Sequence, residues 1–90
     1  MSMEQNNKSD LVSSLGFPKD LLLGEVNLRL TGQRQIFIEN YRYIIEYSED
    51  ILKIQCKNTK LKILGKKLVI EYFSKEEMLV RGIVSEIIFC

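Results

Sequence analysis

From Val26 onward, apolar residues recur at every second position, in short runs broken by turn-forming residues. A period of two is the pattern of a strand with one face buried, because successive side chains point to opposite faces. "VNLRL" sets Val26, Leu28 and Leu30 against Asn27 and Arg29, and "ILKIQC" sets Leu52, Ile54 and Cys56 against Lys53 and Gln55. Gly32, Glu49-Asp50, Asn58-Thr59, Gly65-Lys66-Lys67, Ser74 to Glu77 and Ser85-Glu86 punctuate the runs. About eight short strands, spaced roughly 7–10 residues apart, predict an all-β domain, a small antiparallel β-sandwich.

Three segments echo one another: "LTGQRQIFI", "ILGKKLVI" and "VRGIVSEII". Each reads as a hairpin that uses Gly at a bulge or at a positive-φ turn position. Their spacing is too irregular for the stacked coils of a solenoid. Ahead of the strands, residues 1–10 are polar and are expected to be a disordered tail, leaving residues 11–90 as one β domain. In "LVSSLGFPKDLLL" (Leu11 to Leu23), Gly16 and Pro18 limit any helix to a turn or two. This segment is expected to be a short helical cap over the sheet. It lacks the basic polar face of an interfacial membrane helix.

At ninety residues, the chain has room for one modest core. Thirteen basic and twelve acidic residues leave a net charge of +1, so no overall field draws nucleic acid or a membrane. The first residues, "MSMEQNNKSD", contain no apolar stretch of a signal peptide, and no apolar run is long enough to span a bilayer. A cytoplasmic, reducing location is therefore expected, with Cys56 and Cys90 as free thiols.

Enzymatic chemistry finds little to work with. The chain has no His, its two cysteines cannot close a tetrahedral metal site, and it contains no Gly-rich phosphate loop or nucleophile elbow. Its carboxylate pairs, Glu49-Asp50 and Glu76-Glu77, fall in solvated turns. No catalytic residue, metal, cofactor, small-molecule substrate or nucleic-acid partner is expected.

Two features instead point to binding. Between Ile51 and Ile70 stand Lys53, Lys57, Lys60, Lys62, Lys66 and Lys67 and no acidic residue. If the strands flanking Asn58-Thr59 pair, Lys53, Lys57, Lys60 and Lys62 share an outward face, with Lys66 and Lys67 at the next turn. Such a face suits anionic lipid or an acidic partner, and equally suits a solvated hairpin whose lysines discourage edge pairing. The second feature is an excess of apolar residues on both faces of the strands. Ile44, Val69, Phe73, Leu79 and Ile83 fall on what should be wet faces, and they predict either intramolecular cover, self-association or a protein partner.

"FPKDLLLGE", "LTGQRQIFIENYR", "ILGKKLVI" and "EEMLVRGIVSEIIF" together resemble the YabP/YqfC family of sporulation proteins, in particular its YqfC branch. The resemblance spans about residues 15–89. It implies a small β protein made in the mother cell of an endospore-forming bacterium, with a non-catalytic role in building the spore envelope, the coat and cortex. An assembly or interaction module sited at the forespore surface fits that role; the rival reading is a membrane-peripheral adaptor whose lysine face meets anionic lipid. Within the resemblance, Glu39, Asn40, Tyr41 and Arg42 read as a hairpin corner, since Asn tolerates the left-handed conformation and Glu39 and Arg42 can pair across it.

Overall fold

The computed structural model describes residues 24–90. The predicted tail and the predicted cap at Leu11 to Leu23 both lie outside the described residues. Six strands follow: β1 (Asn27–Thr31), β2 (Gln35–Glu39), β3 (Tyr43–Tyr47), β4 (Ile51–Gln55), β5 (Lys60–Phe73) and β6 (Glu77–Phe89). They form one antiparallel sheet in the order β1-β2-β6-β5-β4-β3. The all-β antiparallel class expected from the alternation is what the chain adopts, while the described strands form a single sheet in place of the two stacked sheets of the expected sandwich.

The expected count of eight is corrected to six, for a local reason. Gly65-Lys66-Lys67 and Ser85-Glu86 do not end strands. They lie inside β5 and β6, where the ladder shifts register between Leu64 and Gly65 and again between Lys66 and Val69. Extra residues of this kind bend a strand and sharpen its twist without breaking the pairing. Lys67 takes φ 54° at the bend, and Gly82 takes φ 144°. A Cβ on Gly65 would lie 2.1 Å from the Ile83 carbonyl oxygen, and one on Gly82 would lie 2.7 Å from that of Lys67. The two long strands therefore cross at a point where only glycine fits.

Each long strand serves two ladders. Residues 77–81 of β6 pair with β2, and residues 60–64 of β5 pair with β4. One half of the sheet is thus β1, β2, the start of β6 and the end of β5. The other half is β3, β4, the start of β5 and the end of β6. The β1–β2 turn touches the bend of β6, with Val84 N–H donating to the Gln33 carbonyl (2.8 Å) and Gly82 N–H to that of Arg34 (3.2 Å). The β3–β4 turn touches the bend of β5 in the same way, with Leu68 N–H donating to Glu49 (2.9 Å) and Gly65 N–H to Asp50 (3.1 Å).

The two halves fold toward one another. Tyr47, on the last position of β3, reaches the far edge of β5, where its hydroxyl donates to the Leu68 carbonyl and accepts the Ile70 N–H. Inside lies one cluster, to which Ile36, Ile38, Met78 and Val80 contribute from one half and Leu52, Ile54, Leu61 and Ile63 from the other, with Leu68 at the bend, all fully buried. Full burial of such a side chain contributes roughly 1.5–3 kcal/mol. Of the three glycine echoes, only Gly32 sits in a hairpin turn, at φ 56°; Gly65 and Gly82 belong to the bend.

Candidate functional site

The β4–β5 ladder places Lys53 opposite Lys62 and Gln55 opposite Lys60, on the face away from buried Leu52 and Ile54. Glu46 of β3 stands opposite Lys53 on its other side. Three of the four lysines expected on one face are therefore together. Lys57 departs: its side chain lies against Gly24, whose absent Cβ would come within 2.6 Å of the Lys57 Nζ. Lys66 and Lys67 belong to the bend. There Lys67, Arg34 and Arg81 surround a groove floored by Val69 and Ile83, and Arg81 pairs with Glu71 at 3.2 Å.

The five apolar residues also separate. Ile44 turns inward, opposite buried Ile54, and packs against the core, so its expected place on a wet face is corrected. The strand reading assigned the wrong face because Tyr43, Ile45 and Tyr47 outnumber Ile44, yet on this edge strand it is those three that are exposed. Val69 and Ile83 are exposed at the bend groove. Leu79 lies on the outer side of its half, in one row between Phe37 and Tyr72. Phe73 ends β5 and is 62% exposed. Sequence reasoning missed Phe37 and Tyr72, which complete this row. The signal was available in "QIFIE", where Ile36 and Ile38 share the buried face and Phe37 must point out. Arg29 then lies over the Phe37 ring, 5.6 Å from its centre.

Glu39 to Arg42 do not form a hairpin corner. β2 pairs with β1 and β6, and β3 pairs with β4, so the segment carries the chain from one half of the sheet to the other. Asn40 adopts φ 68°, the left-handed conformation expected of it. Its N–H donates to the Glu76 carbonyl (2.7 Å), its Nδ2 to the Glu25 carbonyl (2.9 Å), and the Arg42 N–H to Gln55 (2.7 Å). Tyr41 is buried and its hydroxyl donates to the Ser74 carbonyl. Burial raises the Tyr41 pKa. These contacts fasten the crossover to the ends of β4 and of the β5–β6 hairpin, a structural duty for the block.

Cys56 is buried and Cys90 exposed, both as free thiols. Burial raises the pKa of Cys56, which makes it a poor nucleophile. Among the described residues, no cluster of three or more His, Cys, Asp or Glu is placed to hold a metal ion, and no helix is long and apolar enough to cross a membrane. What the described surface offers is therefore three faces for binding: a lysine row, an apolar row and a basic groove.

The model of the YabP family matches residues 23–90, which takes in every strand among the described residues. The chain is also similar to the "Uncharacterized protein YqfC" of Bacillus subtilis (strain 168), at 30% identity over 77 residues, covering 86% of this chain and 83% of that protein. The chain belongs to the YabP family. No solved structure matches it significantly. The family match spans both long strands and the bend between them, so the glycine crossing lies within the region that identifies this YabP-family domain.

Proposed function

We propose that this YabP-family protein is a non-catalytic sporulation protein that helps to build the spore envelope. It acts in the mother-cell cytoplasm, at the forespore surface, as an assembly or interaction module. The observation that supports this reading is the outward row Phe37–Leu79–Tyr72, an apolar stripe on the wet side of a small sheet. Tyr72 is 50% exposed, with Val69 and Ile83 exposed beside the same half. Aromatic and aliphatic residues ringed by arginines, here Arg29 and Arg81, are the composition of protein-binding surfaces. Deleting the gene in its host and counting heat-resistant spores, with microscopy of coat and cortex, tests the role. Complementation with Leu79→Lys tests the surface. Normal spores after deletion would refute the role, and full complementation by the variant would refute the surface.

A second reading is a membrane-peripheral adaptor, and one observation favours it. Lys53 and Lys62 stand directly opposite each other, a like-charge pairing that Glu46 flanks on the Lys53 side only and that a bound anion would relieve further. Anionic lipid headgroups are the occupant this row would take.

A further inference from the structure

Bending the two long strands creates sheet edges that a plain hairpin would lack. Past Val84, whose N–H donates to the Gln33 carbonyl and whose carbonyl accepts from Gln33 Nε2, the end of β6 pairs only with β5. Lys60 and Cys90 exchange their backbone hydrogen bonds, the Cys90 N–H reaching the Lys60 carbonyl at 2.9 Å and the Lys60 N–H reaching that of Cys90 at 3.5 Å. Hydrogen-bonded pairs alternate along an antiparallel ladder, so Ile88 bonds to Lys62, whereas Ile87 and Phe89 turn their N–H and C=O groups away from β5. Nothing among the described residues pairs with that side. Next to it runs a groove lined by Leu30, Gln33, Val84 and Ile87.

The other edges are blunted. The Tyr47 hydroxyl occupies the end of β5, β3 carries a register shift between Ile44 and Glu46, and β1 is a five-residue strand bearing an exposed Arg29. Shortness, bulges and charge are the usual defences against edge pairing. Ile87-Ile88-Phe89 has none of them, and its inward-facing Phe89 is 61% exposed while Leu30 across the groove is 49% exposed.

We infer that the end of β6 is a homodimer edge, joining a second copy of this chain antiparallel about a two-fold axis at Ile88. An antiparallel strand is self-complementary about such an axis, and the contact closes after two copies. Centring on Phe89 leaves only Ile88 to Cys90 to pair, and three further registers engage more of the edge. Centring on Glu86 sets two carboxylates face to face, and centring on Ile87 sets Ile88 against Glu86. Centring on Ile88 matches Ile87 with Phe89 of the second copy and Ile88 with itself, leaving Glu86 opposite Cys90. Of the three, only this register matches Ile87, Ile88 and Phe89 wholly among themselves, and it brings Phe89 of the second copy beside the open groove. The inference names one partner for the assembly module proposed above. It can fail while the envelope role stands, because its test needs only the pure protein.

Sedimentation of the full chain at tens of micromolar should give twice the monomer mass. Phe89→Pro removes an N–H that points to the free edge and leaves the β5 ladder intact, so it should give a monomer with an unchanged melting temperature. Phe89→Lys, which keeps the backbone, should do the same. In a Cys90→Ser background, Ile88→Cys should form a disulfide-linked dimer on mild oxidation, because facing residues of a non-hydrogen-bonded pair lie about 4.5 Å apart at Cα. Ile87→Cys should not. A monomeric parent, a dimer that persists in both Phe89 variants, or linkage through Ile87→Cys in place of Ile88→Cys would overturn the inference.

Discussion

Replacing glycine with alanine at three positions separates the two causes that hold the bend together. At Gly65 the obstacle is purely steric: the new methyl would sit 2.1 Å from the Ile83 carbonyl oxygen and 3.0 Å from its carbon, both backbone atoms. Neither can swing away as a flexible side chain would, so β5 and β6 must separate by more than an ångström where they cross. Forcing a methyl into packed structure costs roughly 1–3 kcal/mol, and a backbone obstacle places Gly65→Ala at about 3 kcal/mol. At Gly82 two causes add. Its φ of 144° is a conformation essentially confined to glycine, at roughly 1–3 kcal/mol, and the methyl would also meet the Lys67 oxygen at 2.7 Å and the Leu68 Cα at 2.9 Å. At Gly32 only conformation matters, since φ is 56° and nothing lies within 4 Å. There the cost is about 1 kcal/mol.

A domain of this size has roughly 5–13 kcal/mol of stability in all. Gly32→Ala should therefore lower the urea midpoint slightly, Gly65→Ala should lower it by a large fraction, and Gly82→Ala should leave the fold marginal or lost. Because each substitution acts on the folded state, the slope of the denaturation curve should stay that of the parent wherever a transition is measurable. A Gly65→Ala variant losing less than about 1 kcal/mol would refute the crossing geometry, since a real 2.1 Å contact could not be relieved so cheaply. An equal loss at Gly32 and Gly82 would refute the assignment of steric and conformational shares.

Tyr47→Phe should cost about 0.5–1.5 kcal/mol in thermal or urea unfolding, by removing the hydroxyl that serves the Leu68 carbonyl and the Ile70 N–H. The same change uncovers the end of β5 and should raise aggregation on heating; unchanged stability and solubility would mean that edge needs no cover. Thiol labelling of the native protein should modify exposed Cys90 at once and buried Cys56 only on unfolding, and equal rates would contradict the burial. Burial raises the Cys56 pKa above its ordinary 9.0, so the folded state holds its proton longer than the unfolded chain does. That contribution is complete below about pH 9 and is lost as pH rises through the raised value, so the parent should weaken more steeply than Cys56→Ala in alkaline urea titrations. Replacing Lys53, Lys60 and Lys62 with Gln should abolish salt-sensitive sedimentation with anionic vesicles, each lysine contributing about 1 kcal/mol near such a surface; binding equal to that of the parent would remove the adaptor reading.

The class of fold was legible because alternation is local. In "ILKIQC" the buried set Leu52, Ile54 and Cys56 follows directly from the period, as does Asn40 at a left-handed position. The length of the strands was not legible, and the bend explains why. Along β5 the buried residues are Leu61 and Ile63, then Leu68, with Ile70 packed against the core; the inward side passes from odd to even positions. Along β6 it passes from Met78, Val80 and Val84 to Ile87, from even to odd. A register shift moves the pattern by one residue, and one residue exchanges the faces of a strand. In a one-dimensional reading that exchange looks the same as the end of one strand and the start of another, particularly where Gly65 or Ser85-Glu86 supplies turn chemistry.

Binding surfaces were less legible still, because they depend on which strands become neighbours. Val69 and Leu79 read correctly as outward residues within their own strands, but only the pairing of β2, β6 and β5 shows that Leu79 joins Phe37 and Tyr72 and that Val69 faces a basic groove. Lys57 illustrates the converse: alternation assigns it to the lysine face, but it lies past the end of β4, in the β4–β5 connection, with its side chain against Gly24. The same holds for the edges. "YIIEY" and "EIIF" have equal claims to an edge in sequence, and β3 and the end of β6 are both edges in the sheet. What separates them is a bulge in one and its absence in the other, together with a tyrosine hydroxyl that crosses from β3 to seal the end of β5. A chain that builds four edges from two hairpins and one bent ribbon must protect each by a different local device. The place where none is found among the described residues, Ile87 to Phe89, is where a second chain has most to gain by pairing.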